Sequence, residues 1–236
     1  MDRPLPAKTR AARPATTYHH GDLRNALLRE GRALLETLGA TELSLREVAR
    51  RAGVSEAAPS RHFEGKEGLL AGIAAEGFRE LAAQRRAIAA QDTGTLAKVR
   101  DMLLSYVRYA QQNKGVFHLM VGPRILDPTR HLELVEVGNE SFQLFAGAVV
   151  DLAVEHGWPR RQVELVTHSA WAVEHGLATL ILADRAPNRA SSVQVDRMIS
   201  FSVDMILSAI VAGPDGLLEV QKGGPARRRK ASPTAG

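Results

Sequence analysis

The chain contains no cysteine. Disulfide cross-links and thiolate chemistry are therefore excluded, and nothing calls for an oxidising compartment. Long apolar runs are missing as well: none approaches the roughly 18 residues of a membrane-spanning helix. The N-terminal stretch MDRPLPAKTRAARP is basic but has no apolar segment behind it, so it does not read as a signal peptide. A cytoplasmic protein with no membrane partner is expected. No segment combines strict alternation with β-branched enrichment, and no internal repeat is visible. Catalytic signatures are equally scarce. There is no nucleophile elbow, phosphate loop, HExxH or pair of catalytic carboxylates, so an enzyme is not expected. Glu164 and His168 stand at i, i+4, but a third metal ligand is not evident. No metal and no cofactor are expected.

What is present is an ordinary globular composition, 236 residues of which 44% are hydrophobic and 24% charged, enough to bury a sizeable core. The net charge of +5 is unevenly placed. Residues 1–20 hold four basic groups and one acid, and residues 221–236 hold five basic groups and no acid. The body between them is therefore slightly acidic. Both ends are rich in Pro, Ala, Gly or Thr and read as a basic arm over 1–17 and a basic tail over 214–236. Basic arms on a near-neutral body suit contact with phosphates, although they could equally serve as solubilising tails.

Between the tails the apolar spacing is helical throughout. Residues 21–38 place Leu23, Leu27, Leu34 and Leu38 near one face, and Gly39 is a natural stop. Ser44-Leu45-Arg46-Glu47 reads as a capping box opening a helix over 45–52. A second short helix is expected over 56–62, capped by Ser55, with Pro59 early enough to cost only one hydrogen bond. From Lys66 a longer helix connects to the rest, over 66–90. Helices are then expected over 96–113, 132–156, 160–183 and 192–211, separated by Gly122-Pro123, Gly157, Pro187-Asn188 and Gly213-Pro214. The fold class is all-α.

Residues 45–64 have the dimensions of a helix-turn-helix, two short helices joined by a glycine-containing turn. Neither helix would be stable alone, so both must pack on their neighbours. Ala49 is small where the two cross, Gly53 suits a positive φ, and Val48 and Val54 can close a core with Leu27 and Leu34.

The stretch from Tyr18 to Ile73, and within it LSLREVARRAGVS, RHF and GKEGLL, resembles the DNA-binding domain of the TetR/AcrR family. The resemblance implies a TetR-like fold: a three-helix DNA-binding domain over 18–65, then an antiparallel helical ligand-binding and dimerisation domain over 91–213. It further implies that Ser55, Glu56 and Ala57 meet base edges in the major groove and that Arg61 reaches a base or a phosphate. His62 and Lys66 match backbone-contacting positions, as do Ser44 and Arg46 at the preceding helix terminus. Arg50 and Arg51 read as a solvated face. One departure stands out. Where the family has tyrosine before the Arg/Lys-His-Phe run, this chain has Ser60, whose hydroxyl is shorter by several ångströms and cannot stack on a sugar.

In the C-terminal half, Trp171-Ala-Val-Glu-His175-Gly176 resembles the signature of the TetR subgroup whose C-terminal domain is named for its Trp, His and Gly. The helix over 192–211 is apolar nearly all round, with Val193, Ile199, Phe201, Val203, Met205, Leu207 and Ile210 interrupted only by the charges Asp196, Arg197 and Asp204. Such a helix must be covered on more than one side, and a partner copy would supply the second cover. Tyr106, Phe117, His118, Phe142, Trp171 and His175 are the candidates to line an effector cavity, with the two histidines as its polar groups. Aromatic residues at this spacing are ordinarily core, so the spacing leaves open which of them face a cavity. The expected function is a homodimeric regulator of operator DNA, a pseudo-palindrome, released by a small apolar or amphipathic effector. The alternative is an architectural DNA binder without an effector.

Overall fold

The computed structural model describes residues 20–121, 126, 127, 129–183 and 192–216, with side chains from residue 23. The basic arm and most of the basic tail lie outside the described residues. The principal α-helices among the described residues follow in the order α1 (His20–Glu42), α2 (Leu45–Arg51), α3 (Gly65–Ala89), α4 (Thr95–Gln112), α5 (Lys114–Val121), α6 (Leu132–Glu155), α7 (Arg160–Leu182) and α8 (Ser192–Val211). The described residues hold no strand. Among them no helix is long and apolar enough to cross a membrane.

Local chemistry sets most of the helix ends. Gly39 takes φ 78°, which breaks α1 geometry as expected, yet one further turn follows before Leu43. On α1 the inward positions belong to Leu27, Leu28, Leu34 and Leu35, while Leu38 is exposed. Ser44 caps α2 by accepting from the Glu47 amide at 3.2 Å. The other half of the expected capping box does not form. The Glu47 carboxylate goes instead to Arg50 Nε at 2.7 Å and Arg50 Nη2 at 2.6 Å, because a charged donor outcompetes a backbone amide. That ion pair holds Glu47 well down, to about 2.

The second short helix is also not the α-helix expected over 56–62. Residues 55–58 form a turn and Pro59–Arg61 a single 3-10 turn. An α-helix starting at Ser55 needs the residue-59 amide to bond the Ser55 carbonyl, and proline has none to give. The Ser55 carbonyl takes the Ala58 amide at 2.9 Å instead, and His62 N–H bonds the Pro59 carbonyl at 3.0 Å. The reading element is thus a tight turn held by the buried Ala58, Pro59 and Phe63.

Two main cores result. In the first, Leu27, Leu34, Val48, Phe63, Leu69 and Ile73 pack with Val116 and Leu119 of α5, with Val54 at its edge. The second joins α4, α6, α7 and α8 through Met102, Leu103, Phe145, Val149, Val166, Val203 and Leu207. Helix α5, which the sequence spacing does not separate from α4, is therefore part of the core beneath the helix-turn-helix. It crosses α3 very closely: a Cβ on Gly77 would lie 2.6 Å from Met120 Sδ and 2.7 Å from Val116 Cγ1.

Candidate nucleic-acid interface and effector cavity

Ser55, Glu56, Ala57, Ser60 and Arg61 are exposed around the reading turn, with His62 half-buried beside Phe63. Basic side chains outnumber acidic ones over 44–66, five to three, which favours an approach to phosphates. Two of the expected DNA contacts are engaged within the chain. Arg46 Nε donates to Glu56 Oε1 at 2.8 Å, joining α2 to the reading turn. Lys66 Nζ donates to the Thr41 carbonyl at 2.7 Å, supporting the C-terminal end of α1, where free carbonyls favour a cation. Arg50, paired with Glu47, stands on the solvated face expected for it.

A cavity of about 580 Å³ opens between α3, α4, α5, α6 and α7. Four of the six candidate effector residues meet there: Tyr106, Phe142, Trp171 and His175. The other two do not, and they correct the sequence expectation. Phe117 is fully buried behind the wall, edge-on to Tyr106 with centroids 5.2 Å apart. His118 is exposed. The reason is the register of α5, where Val116, Phe117 and Leu119 turn inward and leave residue 118 on the opposite side of a 3.6-residue period. His168, considered above only as one half of a metal pair, stacks on Phe142 in the cavity wall at 6.0 Å.

The largest electrostatic feature of this region was not legible in the sequence. Arg85 of α3 is 2% exposed and Glu174 of α7 is 0% exposed. Arg85 Nη2 donates to Glu174 Oε1 at 2.8 Å, and Arg85 Nη1 to the Ser141 carbonyl at 2.7 Å and to Ser141 Oγ at 3.2 Å. The guanidinium lies 5.0 Å from the Phe145 ring centroid and 5.5 Å from that of Tyr106. Arg85 and Ser141 line the cavity; Glu174 stands behind them. Burial pushes the Glu174 carboxyl up to about 8, with Arg85 opposing the shift only in part. Burial likewise raises the Tyr106 hydroxyl and lowers the His175 imidazole, so both are neutral near pH 7. Tyr106 Oη and His175 Nδ1 are 3.1 Å apart, and the His175 ring stacks on Trp171 at 5.0 Å. The only sequence trace of Glu174 is its place inside the Trp171–Gly176 motif.

Comparison with known proteins agrees with this two-part layout. Residues 27–73 match the family model described as bacterial regulatory proteins, tetR family. Residues 99–206 match the tetracyclin repressor-like C-terminal domain, and the Trp-His-Gly motif falls inside that span. A protein of unknown function from Rhodococcus sp. RHA1 is 32% identical, with 83% of this chain and 98% of that one aligned at a TM-score of 0.68. The TetR family transcriptional regulator PfmR from Thermus thermophilus shares the fold at 18% identity, with 77% of this chain and 97% of that one aligned at a TM-score of 0.59. The nucleoid occlusion factor SlmA of Marinomonas sp. (strain MWYL1) is 24% identical over 48% of this chain and 57% of that protein. The chain thus spans about half the length of the curated relatives it matches. With the helix-turn-helix and the helical C-terminal domain each matched in place, the chain belongs to the TetR family of DNA-binding transcriptional regulators.

Proposed function

We propose that this protein is a homodimeric repressor that binds a pseudo-palindromic operator and is released by a small apolar or amphipathic effector. The observation that carries the reading is the cavity, because its wall includes Leu119 and Met120 of α5, and α5 also belongs to the core under the helix-turn-helix. A ligand that binds better to the non-DNA conformation shifts the equilibrium by its differential affinity, about 2.7 kcal/mol per site for a 100-fold preference. An architectural DNA binder has no use for such a cavity.

The dimer rests on the apolar surface of α7 and α8. Ile199, Val203, Leu207 and Ile210 face their own chain, while Val193, Phe201 and Met205 of α8, with Leu165 of α7, are more than half exposed. Pairing these helices with a second copy covers them and sets two reading turns roughly 34–36 Å apart or somewhat more. In this reading Ser55, Glu56 and Ala57 contact bases. Ser44, Arg46, Ser60, Arg61, His62 and Lys66 hold the backbone, and the basic arm at Lys8, Arg10 and Arg13 adds phosphate contacts.

The test is selection of bound fragments from genomic DNA, followed by sedimentation of the complex. Two chains per site on a two-fold sequence are expected. A chain that stays monomeric at micromolar concentration, with and without the selected DNA, overturns the reading.

A further inference from the structure

The polar groups of the cavity are unevenly spent. Arg85 Nε is buried and has no protein partner, although the other two guanidinium nitrogens are engaged. Ser141 has both its carbonyl and its hydroxyl oxygen occupied by Arg85. In the tautomer in which Tyr106 donates to His175 Nδ1, the neutral imidazole carries its proton on Nε2. His175 lines the cavity, and in that tautomer its Nε2 proton is a second donor for a ligand there. Leaving the buried Arg85 Nε unmatched costs about 1–3 kcal/mol, so a ligand that supplies an acceptor recovers that cost. The rest of the wall, notably Phe78, Leu119, Met120, Leu134 and Val135, is apolar.

We propose that the cavity takes an amphipathic organic acid, its carboxylate accepting from Arg85 Nε and His175 Nε2 and its hydrocarbon body lying along α5 and α6. This rests on the effector reading above and names the chemistry of its ligand. Charge balance favours the acid over a neutral acceptor. Glu174 is the only carboxyl bonded to Arg85 among the described residues, and burial keeps that carboxyl from ionising easily. A protonated Glu174 still accepts one Arg85 hydrogen bond through Oε1, and its other oxygen has no protein partner. The positive charge of the buried Arg85 is then left for an incoming anion, and burial strengthens such a pairing.

The experiment compares n-decanoate, methyl decanoate and n-decylamine on the full-length protein by calorimetry, with Trp171 fluorescence as a second readout and Trp171→Phe as its control. Decanoate is expected to bind at least tenfold more tightly than the ester or the amine. Arg85→Met removes both the charge and Nε and should abolish that preference, whereas Arg85→Lys keeps the charge without Nε and should retain only part of it. Glu174→Gln, a neutral isostere, should retain the preference. If the ester or the amine equals or exceeds decanoate, or if Arg85→Met leaves the preference intact, the acid proposal is overturned while the effector cavity stands. If none of the three binds, the acid proposal is overturned.

Discussion

The carboxylate of Glu36 on α1 holds the first turn of α5, accepting from the Gly115 amide at 2.9 Å and from the Val116 amide at 3.1 Å. An anion belongs there, since the first amides of a helix have no intrahelical acceptor and carry its positive dipole end. The approach is close: a Cβ on Gly115 would lie 3.1 Å from the Leu35 carbonyl oxygen and 3.2 Å from Glu36 Cδ. The same helix ends in Leu119, Met120 and Val121, which line the cavity. One rigid element thus touches the DNA-binding domain at its start and the cavity wall at its end.

Glu36→Ala is accordingly expected to cost about 1 kcal/mol of stability, as loss of a helix N-terminal partner does. It should leave effector affinity unchanged and weaken effector-driven release of DNA. Thermal melts and DNA-release titrations check this. Full release in the variant would show that α5 is not the connection.

Arg46 and Glu56 form an exposed pair, so breaking it should change stability by no more than about 1 kcal/mol. Its effect on DNA should be larger. A carboxylate at a base-reading position accepts from the cytosine N4 amino group, and Arg46 offsets its repulsion by phosphates. Glu56→Gln is expected to relax the preference at one base pair by about 1–3 kcal/mol. Arg46→Ala should weaken binding to all sequences and lower the salt slope by about one unit. Binding selections at several salt concentrations separate the two. An unchanged base preference in Glu56→Gln would remove Glu56 from base reading.

Glu174 predicts a pH dependence of stability. Its carboxyl is raised from the ordinary 4.5 to about 8, mainly by burial, with Arg85 opposing and the neutral Tyr106 and His175 nearby. Between those values the folded chain holds a proton that the unfolded chain has lost. The stabilisation is therefore complete below the ordinary glutamate value and is lost as pH rises through about 8. Glu174→Gln keeps the neutral shape and should flatten this decline. Denaturant midpoints measured across the interval test it. Parallel curves for the two proteins would mean that Glu174 stays ionised against Arg85 throughout.

The helical plan and most of its boundaries are written in the sequence, because caps and breaks are local: Ser44 ahead of α2, positive-φ glycines at 53 and 157, and a 3.6-residue apolar period in α4, α6, α7 and α8. The motif residues over 44–66 likewise lie in one short segment, and most of them are exposed. Locality also explains where this reading goes astray. Pro59 reshapes the reading turn because the Ser55 carbonyl pairs with Ala58, a choice set by a single missing amide. What only the tertiary structure decides is which side of each helix meets a partner distant in sequence. Arg85 and Arg86 are adjacent and chemically identical, yet Arg86 pairs with Glu140 in solvent while Arg85 is buried on Glu174, 89 residues away. His118 and His175 part company in the same way, one exposed on α5 and one in the cavity wall. A helix repeats its faces identically whatever it packs against, so its own sequence marks which residues are apolar. Where a charged or aromatic side chain finds a cavity rather than solvent depends on the neighbouring helices that enclose it.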